Sequence, residues 1–410
     1  MFDMKIIHTS DWHLGAQLYE QSRHPEQEKF TVWLKNLMRR EKPDALIVAG
    51  DIFDTYSPPN TSLELYYSLL GDIFRESLCR TVVIVGGNHD SPSLLNSPGK
   101  VLSHLNIKVI GGADLEKEIV LIKNRDATTG LAIGAVPYLR DADLRISGEG
   151  EGFSDVSAKL RAGLKKHYDD VVQKIRLQTG NDVPLLLTGH FFLSKSKLSD
   201  DLSERTRQIG NIGEVPYDLL PAADYYALGH LHIPQALPAN ELCRYSGSPI
   251  PMSFSEAGQV KSVAIVDFSG KTTIRLEPVP SFQRLEQISG TTAIVESKIK
   301  ELADSSSDAW LDIQINEHEG DLTEFWNSLP SLVANTSVKI LTRQDMRPHR
   351  SWSRRGEQEI ALDTIKPGDV FKMLLDDEQL TGDERVEFSR MYEEIIQTVT
   401  QGDIAGEQDP

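Results

Sequence analysis

The sequence has little cysteine and no long apolar run. Only two of its 410 residues are cysteines, Cys79 and Cys243, which argues against a disulfide framework and against a zinc site built from thiolates. No run of 18 or more apolar residues occurs, so no transmembrane helix is expected. Residues 1–11 predict a strand followed by polar residues and lack the apolar core of a signal peptide. We therefore expect a cytoplasmic protein.

Basic residues are also scarce. The chain has 43 Lys and Arg against 61 Asp and Glu, which gives a net charge of −18 at pH 7. Such a charge repels a polyanion at long range and argues against a large nucleic-acid-binding surface. A local basic groove, metal ions that reverse the local field, or a basic partner are each compatible with it.

Apolar runs and amphipathic segments alternate over the first 190 residues. Segments 26–42 and 62–74 carry apolar residues at spacings of three and four and predict helices. Strands are predicted at 5–10, 44–50, 81–87, 108–112, 130–137, 183–190, 224–232, 243–248, 262–269 and 271–279. The repetition of strand, helix and strand favours an α/β core.

The pattern changes after residue 279. A helix at 291–304, a strand at 309–316, a helix at 321–332 and a strand at 337–343 predict a compact α+β unit. Two short helices are predicted beyond it. The second has an apolar stripe formed by Phe388, Met391, Tyr392, Ile395, Ile396 and Val399.

Five of the predicted strands end in side chains that can bind metal ions. The segments are Asp11-Trp12-His13, Gly50-Asp51-Ile52-Phe53-Asp54, Gly87-Asn88-His89-Asp90, Gly189-His190 and Gly229-His230-Leu231-His232. Since the carboxyl ends of strands in an open α/β sheet share one edge, we expect one crevice to collect these groups. His230 and His232 lie two residues apart, so in an extended chain both would point the same way.

Each segment alone has an ordinary structural explanation. An Asp-x-His turn is usually a capping aspartate beside a surface histidine, and GDxxD is a common strand-to-loop turn. Chance does not readily explain five such segments, all after strands and all with oxygen or nitrogen donors. Carboxylate, imidazole and amide donors without thiolate favour Mn²⁺, Fe²⁺ or Zn²⁺. The set is too large for one ion but fits two ions that share a carboxylate, an arrangement suited to in-line attack on a phosphoester.

The order of these motifs resembles the calcineurin-like metallophosphoesterase superfamily. There DxH, GDxxD, GNH(D/E), GH and GHxH follow one another, and all five are intact in this sequence. The resemblance implies two metal ions that share Asp51. One would be held by Asp11, His13, Asp51 and His232, and the other by Asp51, Asn88, His190 and His230.

The same resemblance leaves His89 without a metal. A protonated His89 could then donate to the leaving oxygen or to the developing charge. Asp54 is the expected partner that keeps the His89 ring charged. The neighbouring glycines would let the backbone approach the metals, and no role is assigned to Asp90.

Four longer segments narrow the resemblance to the SbcD family of nuclease subunits. They are HTSDWHLG (8–15), VAGDIFDTYSPP (48–59), ALGHLH (227–232) and YSGSPIPMSF (245–254), and the match extends to about residue 270. The family implies an α/β fold, a metallophosphoesterase β-sandwich flanked by helices, with a small α+β capping domain and a C-terminal helical tail. The implied boundaries are 1–278 for the nuclease domain, 279–345 for the cap, 346–403 for a linker and partner-docking helices, and 404–410 for a disordered tail.

The resemblance also implies an activity and partners. The activity would be a DNA nuclease dependent on two divalent ions, with Mn²⁺ as the favoured ion. It would act as an exonuclease on duplex ends and as an endonuclease on hairpins and single strands. An SbcC-like SMC-type ATPase would dock on the C-terminal helices, in a two-plus-two assembly that contains a homodimer of this chain near the nucleoid. The apolar stripe could instead pack on this chain's own core.

Two further segments have competing explanations. The basic cluster at 347–355, with Arg347, Arg350, Arg354 and Arg355, could contact DNA phosphates or form a solvated linker. The segment FSGKTT (268–273) resembles a phosphate-binding loop, but Ile265 stands where the first glycine belongs. The segment also joins two strands, so a hairpin turn is expected.

Two other functions stay open on the sequence alone. A stand-alone phosphodiesterase or phosphatase for a small-molecule or lipid-linked phosphate would use the same metals and His89, and would not need the C-terminal third. A scaffold with a degenerate site would bind a partner without hydrolysis, although the intact ligand set argues against it.

Overall fold

The computed structural model describes residues 4–124, 126–144, 153–194, 214–238, 240–317 and 322–346, together with 371, 375, 385 and 388–392. The chain divides into two compact units, Met1–Asp345 and Met346–Pro410. The basic cluster at 347–355, the predicted tail at 404–410 and most of the predicted C-terminal helices lie outside the described residues.

Two six-stranded sheets form the centre of the first unit. Across the first sheet the strands are β14 (Thr273–Pro278), β13 (Ser262–Asp267), β1 (Lys5–Thr9), β4 (Ala45–Ala49), β5 (Thr81–Val85) and β6 (Ile107–Ile110). Across the second they are β11 (Gln235–Leu237), β12 (Asn240–Tyr245), β10 (Tyr225–Gly229), β9 (Leu185–His190), β8 (Thr129–Gly134) and β7 (Ile119–Lys123). Four adjacent strands run parallel in each sheet: β1, β4, β5 and β6 in the first, and β12, β10, β9 and β8 in the second. A small hairpin pairs β2 (Gln17–Leu18) with β3 (Gln21–Ser22).

The side chains of β4 show why its sequence is apolar throughout. Leu46 and Val48 lie in the core under the helices, whereas Ala45 and Ile47 lie in the core between the two sheets. A strand covered on both faces has no solvent-facing positions, so its residues form a continuous apolar run. The sheets therefore pack face to face as a β-sandwich.

Helices cover the outer faces of the sandwich. Residues of α1 (His24–Glu41) and α2 (Asn60–Arg75) pack in the same core as the first sheet, and residues of α6 (Phe153–Thr179) pack with the second. Three shorter helices are α3 (Pro92–Asn96), α4 (Gly99–His104) and α5 (Asp141–Leu144). The layers are helix, sheet, sheet and helix, which is the flanked sandwich expected from the sequence.

A smaller α+β unit follows the sandwich. Its elements are β15 (Leu285–Gly290), α7 (Thr292–Asp304), β16 (Trp310–Ile315), α8 (Thr323–Leu332) and β17 (Lys339–Asp345). The three strands are parallel, with β16 in the middle, and the unit has its own apolar core. Leu285 and Trp310 of this cap pack against Leu18 and Phe254 of the sandwich.

Most of the predicted strands and helices are present in the structure, which also contains several elements that the sequence did not predict. The sequence did not predict β2, β3, β7, β11 or β15, nor the helices α3, α4, α5 and α6. The turn between β13 and β14 is the expected hairpin, with Asp267 paired to Thr273. Both cysteines are free thiols, as expected.

Few residues of the second unit are described. The rings of Phe371 and Tyr392 stack with centroids 4.2 Å apart. Residues 388–392 are helical, and Phe388 and Met391 are 45% and 47% exposed. Among the described residues, none of the helices combines the length and apolar character needed to cross a bilayer.

Candidate metal centre

The predicted metal ligands come from both sheets. Asp11, Asp51 and Asn88 follow strands β1, β4 and β5 of the first sheet, whereas His190 ends β9 and His230 follows β10 of the second. The expectation that one sheet edge would carry all of them is therefore wrong. The sandwich brings the carboxyl ends of two parallel strand sets to the same end, and the site lies where they meet.

The backbone at the site is strained. Asp11, His13, Asp51 and His230 have φ angles of 52°, 43°, 50° and 100°, in the left-handed region that non-glycine residues seldom adopt. Hydrogen bonds between the loops hold two of them, since Asp11 N and His13 N donate to the carbonyls of Gly50 and Asp51 at 3.0 Å. Strain of this kind persists where the surrounding structure fixes it and is concentrated at functional sites.

Two glycines make room for the ligands. A Cβ on Gly87 would collide with the Asp51 carboxylate, and a Cβ on Gly50 would collide with the His190 ring. Gly50 also has a φ of +91°, which disfavours any other residue. The glycines that precede Asp51 and Asn88 therefore leave room for the ligand side chains of Asp51 and His190.

One group of donors contains Asp11, His13 and His232. One ligand atom from each lies within 4.8 Å of the other two. Nε2 of His13 is 3.2 Å from Nε2 of His232 and 3.7 Å from Oδ2 of Asp51. This is the first of the two ligand sets that the resemblance implied.

A second group contains Asp51, Asn88, His190 and His230. Nε2 of His190 lies 3.2 Å from Oδ2 of Asp51 and 3.0 Å from Oδ1 of Asn88. Nδ1 of His230 lies 3.1 Å from the same Asn88 oxygen. Oδ2 of Asp51 thus faces both groups of donors, so Asp51 is placed to bridge them.

His230 and His232 serve different groups. The sequence argument expected both rings on one side of an extended chain, and this is wrong because β10 ends at Gly229 and His230 has a φ of 100°. The turn directs His230 to Asn88 and His232 to His13. The backbone N–H of His230 also donates to Oδ1 of Asp11 at 2.8 Å, which joins the two groups.

The protonation of the rings indicates that the first group needs a positive charge. Nδ1 of His13 faces the Asp54 carboxylate at 3.3 Å, and Nδ1 of His232 faces the Glu256 carboxylate at 3.3 Å. If each Nδ1 donates to its carboxylate, both Nε2 atoms present lone pairs to each other at 3.2 Å. A proton or a cation must lie between them.

The same argument applies to the second group. Nδ1 of His190 donates to the carbonyl of Ala49 at 2.9 Å, so its Nε2 faces two oxygen acceptors, on Asp51 and Asn88. Ligating histidines commonly donate the other ring N–H to a carboxylate or a backbone carbonyl in this way. The donors present therefore fit two divalent ions.

The electrostatics agree with this assignment. Burial lowers the pKa of the His13 ring, but Asp54 and Asp51 outweigh it and raise that pKa to about 9. Burial also lowers the pKa of His190, and Asp51 raises it to about 9. Burial raises the pKa of the Asp51 carboxyl, yet the His190 ring outweighs this effect and holds that pKa well below its usual range. The site attracts positive charge, which ions satisfy as well as protons.

His89 and Asp54 meet differently from the expected contact. Nδ1 of His89 donates to the backbone carbonyl of Asp54 at 2.8 Å, whereas the Asp54 carboxylate faces His13. The expectation that the Asp54 carboxylate holds His89 is therefore wrong at the level of the atoms. The two residues are still neighbours, because the segment from Asp51 to Asp54 lies beside the turn that carries His89. The backbone N–H of His89 donates to Oδ1 of Asp51 at 2.9 Å.

Asp90, which had no role in the sequence analysis, clamps two loops together. Its buried carboxylate accepts backbone hydrogen bonds from Ile52 at 3.1 Å, Phe53 at 3.0 Å and Gly87 at 2.8 Å. Burial and the charge of Asp51 raise the pKa of Asp90 to about 6, although these hydrogen bonds lower it. Asp90 fixes the bridging aspartate relative to the turn that carries Asn88 and His89.

A buried ion pair supports His232 and was also missed. Glu256 accepts from Nδ1 of His232 and pairs with Nζ of Lys261 at 2.5 Å, and both side chains are at most 3% exposed. Lys261 also donates to the His232 carbonyl at 2.9 Å. Burial raises the pKa of Glu256, but His232 and Lys261 together lower it to about 2. No periodicity in the sequence marks these two residues, since both lie outside the five motifs.

Comparisons with known proteins cover nearly the whole chain. Residues 4–234 match the family model described as calcineurin-like phosphoesterase, and residues 281–379 match the one described as type 5 capsule protein repressor C-terminal domain. The chain is 32% identical over 401 residues to the SbcD subunit of nuclease SbcCD from Escherichia coli (strain K12), covering 97% of this chain and 98% of that protein. The same-named protein of Bacillus subtilis (strain 168) is 34% identical over 323 residues, 76% of this chain and 79% of its own. The same-named protein of Rhodobacter capsulatus is 35% identical over 288 residues, which cover 68% of this chain and 69% of that protein.

Proposed function

Because the chain belongs to the calcineurin-like phosphoesterase family and, within it, to the family of SbcD subunits of nuclease SbcCD, we propose that it is a two-metal-dependent nuclease that hydrolyses phosphodiester bonds of DNA. The observation that carries the proposal is the meeting of two buried groups of oxygen and nitrogen donors at the shared carboxylate of Asp51. The names of the relatives supply the substrate class, since each is a nuclease subunit.

We assign the two ions to the two groups of donors. Asp11, His13, Asp51 and His232 would hold one, and Asp51, Asn88, His190 and His230 the other. Mn²⁺ is the proposed ion because the family resemblance implies it, and carboxylate, amide and imidazole donors without thiolate are compatible with it. When bound, two such ions offset the charge of a phosphate and make hydroxide available near neutral pH.

His89 is the proposed proton donor. Its Nδ1 is occupied by the Asp54 carbonyl, so Nε2 is the nitrogen that can transfer a proton to the leaving oxygen. Its backbone N–H is tied to the bridging Asp51, and its ring lies edge-on to that of His13 with centroids 5.0 Å apart. Asp54 positions two rings at once, His89 through its carbonyl and His13 through its carboxylate.

The proposal extends to the mode of cleavage and to a partner. We infer exonuclease action on duplex ends and endonuclease action on hairpins and single strands. The relatives are subunits of a two-part complex by name, which supports docking on an SbcC-like SMC-type ATPase in a two-plus-two assembly. The exposed Phe388 and Met391 of the helix at 388–392 suit the docking surface. The place of action would be the cytoplasm, beside the nucleoid.

The experiment that tests the nuclease proposal uses end-labelled duplex DNA and purified full-length chain in Mn²⁺. We expect weak cleavage by the chain alone and faster cleavage with its ATPase partner and ATP, while the Asp51→Ala variant is inactive in both mixtures. Intact DNA in both mixtures, together with hydrolysis of a small phosphodiester, would support the stand-alone phosphodiesterase instead. Full activity of Asp51→Ala would remove the metal assignment.

A further inference from the structure

A tyrosine and an arginine contact each other at the edge of the metal centre, and neither belongs to the ligand groups. The guanidinium of Arg140 lies over the ring of Tyr56, 5.8 Å from its centroid. Tyr56 is 58% exposed, so its side chain is accessible from solvent. It follows Asp54 by two residues, so the exposed ring is close in sequence to the carbonyl that holds His89.

Arg140 is tied to the turn that carries His89. Its Nη2 donates to the backbone carbonyl of Asp90, the next residue after His89, at 3.2 Å. Its backbone N–H donates to the Asp143 carboxylate at 2.9 Å. Within the part of the chain that the structure describes, no carboxylate forms a salt bridge with its guanidinium. The guanidinium of Arg140 is therefore held in place by a backbone carbonyl and an aromatic ring.

The segment that leads to Arg140 runs along the metal centre. The ring of Tyr138 stands edge-on to that of His190, with centroids 6.4 Å apart. The backbone N–H of Tyr138 donates to the carbonyl of Gly86 at 2.8 Å, just before the turn that carries Asn88. Arg140 thus lies two residues after Tyr138, which contacts the proposed metal ligand His190. Lys261, another cation near the centre in the described part of the chain, is buried and paired with Glu256.

We propose that Tyr56 and Arg140 form a nucleic-acid subsite beside the scissile phosphate, an inference that rests on the proposed nuclease function. One face of the Tyr56 ring is covered by the guanidinium, and the other can stack on a base of the bound strand. Arg140 then contacts a phosphate next to the one that is cleaved. In a chain with a net charge of −18, a fixed cation at the site helps to hold a polyanion.

The test compares two phosphodiester substrates, one with nucleotides on either side of the cleaved bond and one without. Variants Tyr56→Ala, Tyr56→Phe and Arg140→Ala are assayed in Mn²⁺ on an oligonucleotide and on bis(p-nitrophenyl) phosphate, which has no neighbouring nucleotides. Arg75→Ala is the matched control, because Arg75 is 73% exposed on α2 and bonded to Asp72. Bound Mn²⁺ is counted for every variant.

We expect KM for the oligonucleotide to rise about 10-fold in Tyr56→Ala and in Arg140→Ala, and less than about 2-fold in Tyr56→Phe, which keeps the ring. Arg140→Ala should also reduce the slope of log affinity against log salt by about 1. Hydrolysis of the small diester, the Mn²⁺ content and the Arg75→Ala control should not change.

Two results would overturn the subsite. One is an unchanged KM for the oligonucleotide in both alanine variants, and the other is an equal loss on the small diester, which would mean that the pair only supports the turn at Asp90. Failure of the nuclease proposal looks different, because the unmodified chain would then hydrolyse the small diester and leave DNA intact. That result would remove the subsite together with the nuclease function.

Discussion

The His89 ring contacts His13 at the metal centre but is held by a main-chain carbonyl, so we expect its role in proton transfer to be separable from metal binding. We expect His89→Gln to keep its bound Mn²⁺ and to lose about 10²- to 10⁴-fold in kcat, the usual contribution of a general acid. Elemental analysis and single-turnover cleavage would measure the two properties separately. Asp51→Ala is the opposite control, because it should lose bound metal. Near-normal turnover by His89→Gln would contradict the proton role.

The raised pKa values of His13 and His190 predict that metal binding depends on pH. Both rings have a pKa of about 9, and a ligating imidazole must be neutral, so ions displace protons below that pH. Near pH 7.5 the binding of metal should release about two protons per chain, and the affinity should rise with pH until about 9. Calorimetry in two buffers of different ionisation enthalpy measures the release. Proton-independent binding would contradict these assignments.

The same two rings give a stability effect of defined sign. Their pKa values are raised on folding, so the charged rings stabilise the metal-free fold fully below about pH 6.5. That contribution is lost as the pH rises through about 9. Thermal denaturation in a chelator should therefore show a falling Tm between these limits. Added Mn²⁺ should remove the fall, because neutral rings are then the stable form.

At the level of single side chains, the sequence could predict the donors but not their supports. Each donor follows a strand within a recognisable motif, which is why Asp11, Asp51 and Asn88 were placed correctly at strand ends. The roles of Asp90 and Glu256 depend on which loop faces which, and only the folded chain brings Asp90 to the amides of Ile52 and Phe53. Residue types also could not show that His89 would contact the backbone carbonyl of Asp54 and that the Asp54 carboxylate would face His13.

The turn after β5 requires glycine at position 87. A methyl group there would push on the Asp51 carboxylate, so Gly87→Ala should destabilise the chain by about 1–3 kcal/mol and weaken metal binding. Gly71→Ala is the control, since Gly71 lies in α2 with open space around it and should gain about 0.5–1 kcal/mol. Chemical denaturation measures both. Equal stability of the two variants would contradict the close approach.

The loop before β13 supports the metal centre through Glu256 and Lys261. Glu256→Gln leaves Lys261 buried without its partner, so we expect a loss of about 3–5 kcal/mol in the free energy of unfolding. Weaker orientation of His232 should lower metal affinity about 10- to 100-fold. Glu301→Gln, which removes an exposed partner of Lys298, should cost less than about 1 kcal/mol. Similar losses in the two variants would contradict the supporting role.

The strands were predictable where they are covered on both faces. β1, β4, β5, β9 and β10 are buried along nearly their whole length, and their apolar runs are unmistakable. β15 mixes buried with exposed positions, and the two-residue strands β2 and β3 are too short to distinguish from a loop. The division of the ligands between two sheets depends on long-range pairing, which local patterns do not contain.

In the whole molecule, local positive charge at the metal centre can offset the acidity that would otherwise repel a nucleic-acid substrate. A net charge of −18 opposes binding of a polyanion, so affinity must come from a few fixed positive charges. The two ions at Asp51, the guanidinium of Arg140 and a partner protein would supply them. The cap meets the sandwich at Phe254, within the loop that carries Glu256, so the cap and the support of His232 share one segment.

The measurement that tests the central claim most directly is cleavage of duplex DNA as a function of Mn²⁺ bound per chain. Stripped protein is loaded with known equivalents of Mn²⁺, and the bound metal and the cleavage rate are determined on the same samples. We predict little cleavage at one equivalent, a steep rise up to two, and no rise beyond. Full cleavage with a single bound ion, or two bound ions without cleavage of any phosphodiester, would contradict a two-metal nuclease centred on Asp51.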